Sequence, residues 1–335
     1  MSSAPHMRLP AASRDRIVAR SPAGWEAIVI ESPAVTTGSG TNSPSEETLA
    51  AVHDAEAYFG FGVSASLLAA APSLRWAHSA AAGLGTSDTA TVRARGIAFT
   101  NSAGVYAEPI ADTVLAGVLH FARGLDLAVR LQAASQWDQV PFTDGSTDIR
   151  ELFQYRVLVI GAGGIGSAVA RRFSALGCHC TGVRRRPELG TPEGFQAVAG
   201  VDDIDRLLPD ADVVVIAAPL TDASRAMMDA SRLALLPAGA IVVNVARGDL
   251  IDDEALLGAL HRGTLRGAVL DVFALEPLPS ASPYWQQPRV LVTPHVSGVS
   301  PTWRWSRALD LFEDNWKRWV SGERLRNVVD LEAGY

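Results

Sequence analysis

Apolar residues in the second half of the chain come in short blocks: RVLVI (156–160), CTGV (180–183), DVVVIAAP (212–219), AIVVNVA (240–246), AVLDVF (268–273) and VLVTP (290–294). Between them lie segments of helical spacing, of which SAVARRFSALG (167–177), ended by Gly177, is the clearest. Strand-length Val/Ile/Ala runs without polar alternation predict a parallel sheet covered on both faces. The first half repeats the rhythm more faintly. AIVIE (27–31), AEAYFGF (55–61), LRWAHS (74–79) and GIAFT (96–100) read as strands, SASLLAAA (64–71) as a helix, and the polar stretch Thr36–Ser45 as a loop. Between the halves, Ile110, Val114, Leu115, Val118, Leu119 and Ala122 mark one long helix over 107–123, suited to carry the chain between domains. A last helix over 301–320 carries Trp305, Leu309, Phe312, Trp316 and Trp319 on one stripe, which reads as core or interface packing rather than a cofactor box.

At 335 residues and 48% hydrophobic content, the chain exceeds a comfortable single core, so two domains are expected. A net charge of −7, with no basic run longer than Arg184–Arg186, gives no footprint for a nucleic acid partner. Residues 1 to 22 lack the apolar core of a secretory signal and read as a poorly ordered leader. No apolar run approaches the roughly 18 residues of a membrane span, so no membrane association is expected and the protein reads as cytoplasmic. The cysteines number two, Cys178 and Cys180. With His179 they could be imagined as metal ligands, but no second Cys/His pair completes a zinc site, and they are read as strand residues with no metal bound.

Chemistry concentrates after the strands. Gly161, Gly163 and Gly166 form G-x-G-x-x-G between RVLVI and a helix. The first glycine allows a tight turn, the second a close approach of a pyrophosphate, and the third close packing of helix on strand, so this is a dinucleotide site. Where an acidic residue would close the next strand and bind a ribose, the chain has Val183 followed by Arg184, Arg185 and Arg186. Guanidinium groups pair with a 2′-phosphate, which favours NADP(H) with NAD(H) possible; the alternative is a solvated turn. Arg247, Glu276 and His295 follow three further strands and should converge where open α/β sheets bind ligands. An arginine to grip a carboxylate, a histidine to give a proton to a carbonyl oxygen, and a glutamate to keep that histidine protonated are the parts that hydride transfer to a 2-oxo acid requires.

The wording of GAGGIG, NVARGDLID, GAVLDVFALEPLP and VTPHVSG resembles the D-isomer-specific 2-hydroxyacid dehydrogenase family, and the likeness extends upstream to WAHSAAAGLG and RGIAFTNSAGVYAEPIADTVL. The resemblance implies that Arg247, Glu276 and His295 are catalytic, and that backbone N–H groups of Ala82, Gly83 and Leu84 hold the substrate carboxylate. It implies also a Rossmann domain over 105–295 and a discontinuous flavodoxin-like α/β substrate domain over 1–104 and 296–335. The expected dinucleotide contacts are Gly161, Gly163, Gly164, Ile165, Gly166, Arg184, Arg185, Pro219, Val245, Ala246, Asp271 and His295. Arg184 departs from NAD-using members, which carry an aspartate there; members with such a basic stretch often reduce glyoxylate and hydroxypyruvate, the first substrates to expect. The segment from 107 to 148 resembles the arm by which members form homodimers. The rival reading is a non-catalytic, dinucleotide-sensing corepressor, since the family includes one.

Overall fold

The Val/Ile/Ala blocks of the second half form one all-parallel sheet in a computed structural model that describes residues 9–30, 35–36, 42–85, 87–300 and 303–332. The chain divides into unit 1, Met1–Tyr106 with Ser300–Tyr335, and unit 2, Ala107–Val299.

Seven strands build the sheet of unit 2. These are β6 (Arg156–Ile160), β7 (His179–Val183), β8 (Ala197–Ala199), β9 (Val213–Ile216), β10 (Ala240–Asn244), β11 (Leu265–Leu270) and β12 (Val290–Val292). Their order, β12-β11-β10-β9-β6-β7-β8, is wound outward in both directions from β6. Such winding leaves a crevice between β6 and β9 at the carboxyl ends, the place where doubly wound sheets take ligands. Every residue of β9 and β10 is buried, as continuous apolar runs covered on both faces require. The sequence pattern did not mark β8, a half-buried edge strand of three residues. The long helix is observed at 107–122 and belongs wholly to unit 2. It lies hard against the sheet: a Cβ on its Gly117 would come within 2.7 Å of Val269, and one on Gly267 of β11 within 2.6 Å of the Phe121 ring. Glycines here buy closeness of backbone to sheet, not flexibility.

A buried ion pair ties the following helix, 125–133, to the same sheet. Arg266 of β11 donates from Nη2 to Asp126 Oδ1 at 2.6 Å and from Nη1 to Oδ2 at 3.1 Å. Burial alone would raise the Asp126 carboxyl, but the bonds from Arg266 outweigh it and hold the group below its ordinary range.

Unit 1 is smaller. A two-residue antiparallel pair, β1 (Val35–Thr36) and β2 (Asn42–Ser43), occupies the ends of the expected loop, whose residues 37–41 lie outside the described residues. Then β3 (Ala57–Gly60), β4 (Trp76–Ser79) and β5 (Ala98–Asn101) form a three-stranded parallel sheet in chain order. The strand expected at 27–31 is not among its strands: residues 27–30 make no sheet pairing and Glu31 lies outside the described residues. An apolar run predicts extended chain, but sheet membership also needs a neighbouring backbone in register.

The reading of residues 1–22 as a disordered leader is corrected from residue 9 onward, because Ala11–Ala19 is a helix. Its Ile17 packs among Trp76, Leu309, Phe312 and Trp316. Its Arg16 also grips buried Glu313 through two bonds of 2.7 and 2.8 Å, and Arg20 adds a third at 3.0 Å. The tertiary partner, helix 304–320, lies nearly three hundred residues away in sequence, which is why local polarity misled. The aromatic stripe of helix 304–320 packs into the core of unit 1, with Phe312 stacked on Trp76 at 5.3 Å.

Because a buried charge deprived of its partner is far costlier than a pair replaced outright, Arg266→Met should lower the unfolding free energy by about 3–5 kcal/mol. Arg266→Met combined with Asp126→Leu should recover most of that. Urea titration measures both, and a single variant within about 1 kcal/mol of wild type would show the pair to be dispensable.

Candidate active site

The glycine-rich turn follows β6. Gly161 adopts φ of +110°, and a Cβ there would meet the Ala217 carbonyl and the Ala218 nitrogen at 2.6 Å, because the segment leaving β9 runs alongside. A Cβ on Gly166 would sit 2.1 Å from the Gly161 oxygen, so only glycine lets helix 164–175 start this close to the turn. Gly163 is different: nothing lies within 4 Å of where its Cβ would be. Open space thus faces the helix N-terminus, whose first N–H groups, on Gly164, Ile165 and Gly166, have no partner within the helix and present its positive dipole end. The residues fit a dinucleotide pyrophosphate. The Gly161 and Ala162 amides both donate to the Val183 oxygen at 2.9 Å, which fixes the end of β7, and hence Arg184 and Arg185, beside the turn. Arg184 is half-buried and Arg185 exposed.

On the other side of the crevice, Asn244, Leu270 and Val292 are paired in register, so β10, β11 and β12 end level. Each strand is followed by a residue of interest. After β11, Asp271 is fully buried, and its carboxylate is surrounded by donors from the segment after β12: Thr293 Oγ1 at 2.6 Å, the Val296 amide at 2.9 Å, the Ser297 amide at 3.1 Å, and the Ser297 hydroxyl. The His295 amide donates to the Asp271 carbonyl at 2.8 Å. Held at both ends, His295 adopts φ of +52°, in the left-handed region that a side chain seldom occupies without such support. Its Nδ1 donates to Glu276 Oε2 at 2.8 Å, and the other carboxylate oxygen of Glu276 accepts the Phe273 amide at 2.9 Å.

These bonds set the protonation states. The bond to Glu276 raises the His295 imidazole above its ordinary value against the opposing effect of burial. Burial would push Glu276 up, but the bonds from His295 and the Phe273 amide outweigh it and hold the carboxyl low. The positive charge of Arg247 acts on both groups. The result is a carboxylate beside a readily protonated imidazole, next to a guanidinium.

Arg247 is exposed, and the turn carrying it is braced by a residue the sequence reading had not singled out. Asn244, buried, accepts the Ala246 amide at 3.1 Å and donates to the Arg247 carbonyl at 2.8 Å. An asparagine two residues before a turn amide is the local signal that could have revealed it. Gly248 then passes so close to the next loop that a Cβ would lie 2.0 Å from the Phe273 carbonyl carbon and the Ala274 nitrogen. Of the remaining expected dinucleotide contacts, Val245 and Ala246 are buried in the turn after β10, and Pro219 is exposed after β9. Ala82, Gly83 and Leu84 belong to unit 1, where all three are half-buried.

Cys178 and Cys180 donate to the Leu152 and Ala170 carbonyls, and burial pushes their thiols up to about 11 and about 12. Neither has the low pKa of a reactive thiolate. Among the described residues, no helix is long and apolar enough to cross a membrane.

The sequence model described as "D-isomer specific 2-hydroxyacid dehydrogenase, NAD binding domain" matches residues 115–297, more than half of the chain. The protein is a member of that family. It is therefore an oxidoreductase of 2-oxo and 2-hydroxy acids that uses a nicotinamide dinucleotide, and the α/β fold with a Rossmann-type sheet is the family's. The chain is 33% identical over 277 residues to glyoxylate/hydroxypyruvate reductase B of Yersinia enterocolitica, covering 81% of this chain and 82% of that protein. Among solved structures, the D-isomer specific 2-hydroxyacid dehydrogenase of Xanthobacter autotrophicus Py2, in complex with NADPH and MES, is 29% identical with a TM-score of 0.76, over 96% of this chain and 95% of that one. The NADPH-dependent glyoxylate/hydroxypyruvate reductase of Sinorhizobium meliloti, in complex with NADP and sulfate, is 26% identical with a TM-score of 0.71, over 84% and 86% of the two chains.

The two glycines of the turn should separate binding from folding in this oxidoreductase. Gly163→Ala should leave the melting temperature within about 2 °C while weakening dinucleotide binding about tenfold or more, about 1.4 kcal/mol. Gly166→Ala should cost about 1–3 kcal/mol of stability by overpacking as well. Calorimetry and fluorescence titration check the pair, and tight binding by Gly163→Ala would place the pyrophosphate elsewhere.

Proposed function

We propose that the protein reduces small 2-oxo acids, glyoxylate and hydroxypyruvate first, to D-2-hydroxy acids at the expense of NADPH. The observation that carries the reading is the 2.8 Å pair of His295 and Glu276 beside Arg247 at the carboxyl ends of three level strands. The bound dinucleotide supplies a hydride to the carbonyl carbon. His295, protonated through Glu276, gives its proton to the carbonyl oxygen as negative charge develops there. Arg247 pairs with the substrate carboxylate by its planar fork and polarises the carbonyl. The amides of Ala82, Gly83 and Leu84 receive a carboxylate in this reading: among the described residues no protein acceptor takes them, whereas the preceding amides of Ala80 and Ala81 are engaged. The dinucleotide is held by Gly161, Gly163, Gly164, Ile165 and Gly166 with Pro219, Val245 and Ala246. Asp271 meets it through the turn that it braces.

Preference for NADPH rests on Arg184 and Arg185 at the end of β7, where a 2′-phosphate would find two guanidinium groups. The NADPH and NADP held by the Xanthobacter and Sinorhizobium proteins agree with it. A homodimer is supported by apolar side chains left exposed along one stretch of unit 2: Leu125, Val129, Val140 and, at 92% exposure, Trp137. Sedimentation should return the mass of two chains, and Trp137→Asp with Val129→Asp should return one; a monomeric wild type overturns this.

Since the raised pKa keeps His295 protonated above the ordinary imidazole value, reduction should decline only at higher pH, when that proton is lost. Glu276→Gln removes the largest cause of the shift, so the alkaline limb of kcat for reduction should move to lower pH. His295→Gln should lower kcat about a hundredfold with NADPH binding nearly intact. In the same assays Arg184→Asp should cut the preference for NADPH over NADH about tenfold. Wild-type turnover by His295→Gln would remove the proton donor from the proposal, and a wild-type enzyme preferring NADH would remove the arginine reading.

A further inference from the structure

The loop after β4 has an orientation that its own residues do not explain. Its carbonyls are captured one after another by the end of β5 and the segment after it: the Tyr106 hydroxyl donates to the Ala80 oxygen at 2.5 Å, the Ser102 amide to the Ala81 oxygen at 3.1 Å, and Asn101 Nδ2 to the Ala82 oxygen at 2.8 Å. In a planar trans peptide the carbonyl of one residue and the N–H of the next point in opposite directions. Fixing the Ala81 carbonyl inward therefore turns the Ala82 N–H outward, and fixing the Ala82 carbonyl inward turns the Gly83 N–H outward. Consecutive outward amides make a concavity for an anion.

Among the described residues, Asn101 is the only side chain that sets one of those two outward amides; the other is set by the Ser102 backbone amide. It is itself rigidly held. Its Oδ1 accepts the Ala103 amide at 3.1 Å, which determines which way the side-chain amide faces, and Asn327 donates to the carbonyls of Asn101 and Ala103 at 3.2 and 2.8 Å. Asn101 is also buried, so its Nδ2 has no water to choose instead of Ala82. Beneath it, a chain of side chains links the ends of β4 and β5. The donors and acceptors are all used once when Trp76 Nε1 donates to Thr100, Thr100 to His78 Nδ1, His78 Nε2 to Ser102, and Ser102 to the Ser79 carbonyl. Burial pushes the His78 pKa down to about 4, so the ring is neutral at working pH, as this pattern requires.

We propose that Asn101 is a positioning residue that aims the Gly83 N–H at the substrate carboxylate and so determines affinity for 2-oxo acids. This rests on the reading that the amides of Ala82, Gly83 and Leu84 receive that carboxylate. Asn101 touches no reacting atom, so its loss weakens the grip on substrate more than the chemical step.

The test is steady-state kinetics with glyoxylate and NADPH, together with inhibition by oxamate, for Asn101→Ala and Asn101→Asp. The aspartate keeps the acceptor for the Ala103 amide and the side-chain volume, so it serves as the second variant if alanine loosens the fold, but it faces the Ala82 oxygen with a carboxylate instead of a donor. For both variants KM for glyoxylate and Ki for oxamate should rise about tenfold, with kcat changed by less than about threefold and the NADPH dissociation constant unchanged. Unaltered KM and Ki overturn the inference, as do kcat, KM and melting temperature deteriorating together, the mark of a merely structural role. Gly83→Pro, which deletes the N–H itself, separates the two levels. If Gly83→Pro raises Ki while the Asn101 variants do not, the positioning role alone fails; if all three bind oxamate as the wild type does, the carboxylate reading of the loop fails as well.

Discussion

The carboxylate of Asp271, with no exposure to solvent, is the interaction on which the candidate site depends. A buried charge is tolerated only when donors surround it, and here the donors come from one short segment, Thr293 to Ser297. Satisfying the carboxylate therefore folds that segment around it. His295 is at the crest of the resulting turn and takes a left-handed conformation because its neighbours on both sides are already committed. From there its Nδ1 reaches Glu276, whose own position is set by the Phe273 amide two residues after Asp271. The histidine, the glutamate and the strand that carries the aspartate are thus one mechanical unit, and the raised imidazole pKa is a consequence of it.

A second constraint is the distance between backbones. Gly161, Gly166 and Gly248 each pass within contact of another main chain, where a Cβ would overlap carbonyl or amide atoms. Gly248 presses the turn carrying Arg247 onto the loop leading to Glu276, and Gly161 presses the glycine-rich turn onto the segment leaving β9. Close-packed interiors transmit such contacts without slack. The arrangement of the chemical groups is therefore imposed by residues that have no side chain at all.

In the proposed reading both units receive negative charge in the same physical way, through backbone N–H groups aligned by structure elsewhere. In unit 2 a helix N-terminus does this, since its first amides have no intrahelical acceptor. In unit 1 the alignment is imposed from outside, by Asn101, Ser102 and Tyr106 pulling the carbonyls inward. Backbone donors carry no titratable proton, so neither proposed anion site should change character over the pH range in which His295 does.

By itself the sequence determined the parallel sheet of unit 2, the glycine turn at its switch point, and the residue types Arg247, Glu276 and His295 placed just after strands. These are properties of short segments: continuous apolar runs need cover on both faces, a G-x-G-x-x-G needs a strand before it and a helix after it, and both requirements can be read within a few residues. Tertiary structure alone decided that residues 11–19 are helical, because Arg16 and Ile17 answer to Glu313 and Trp316, and that residues 27–30 stay out of the sheet. It alone decided that Asp271 braces the His295 turn, and that Asn244 and Asn101 orient other residues' backbones. In each case the deciding partner is a hydrogen-bonding group or an apolar surface whose position depends on how distant segments meet, and pattern along one chain carries no record of which atoms come within three ångströms of one another.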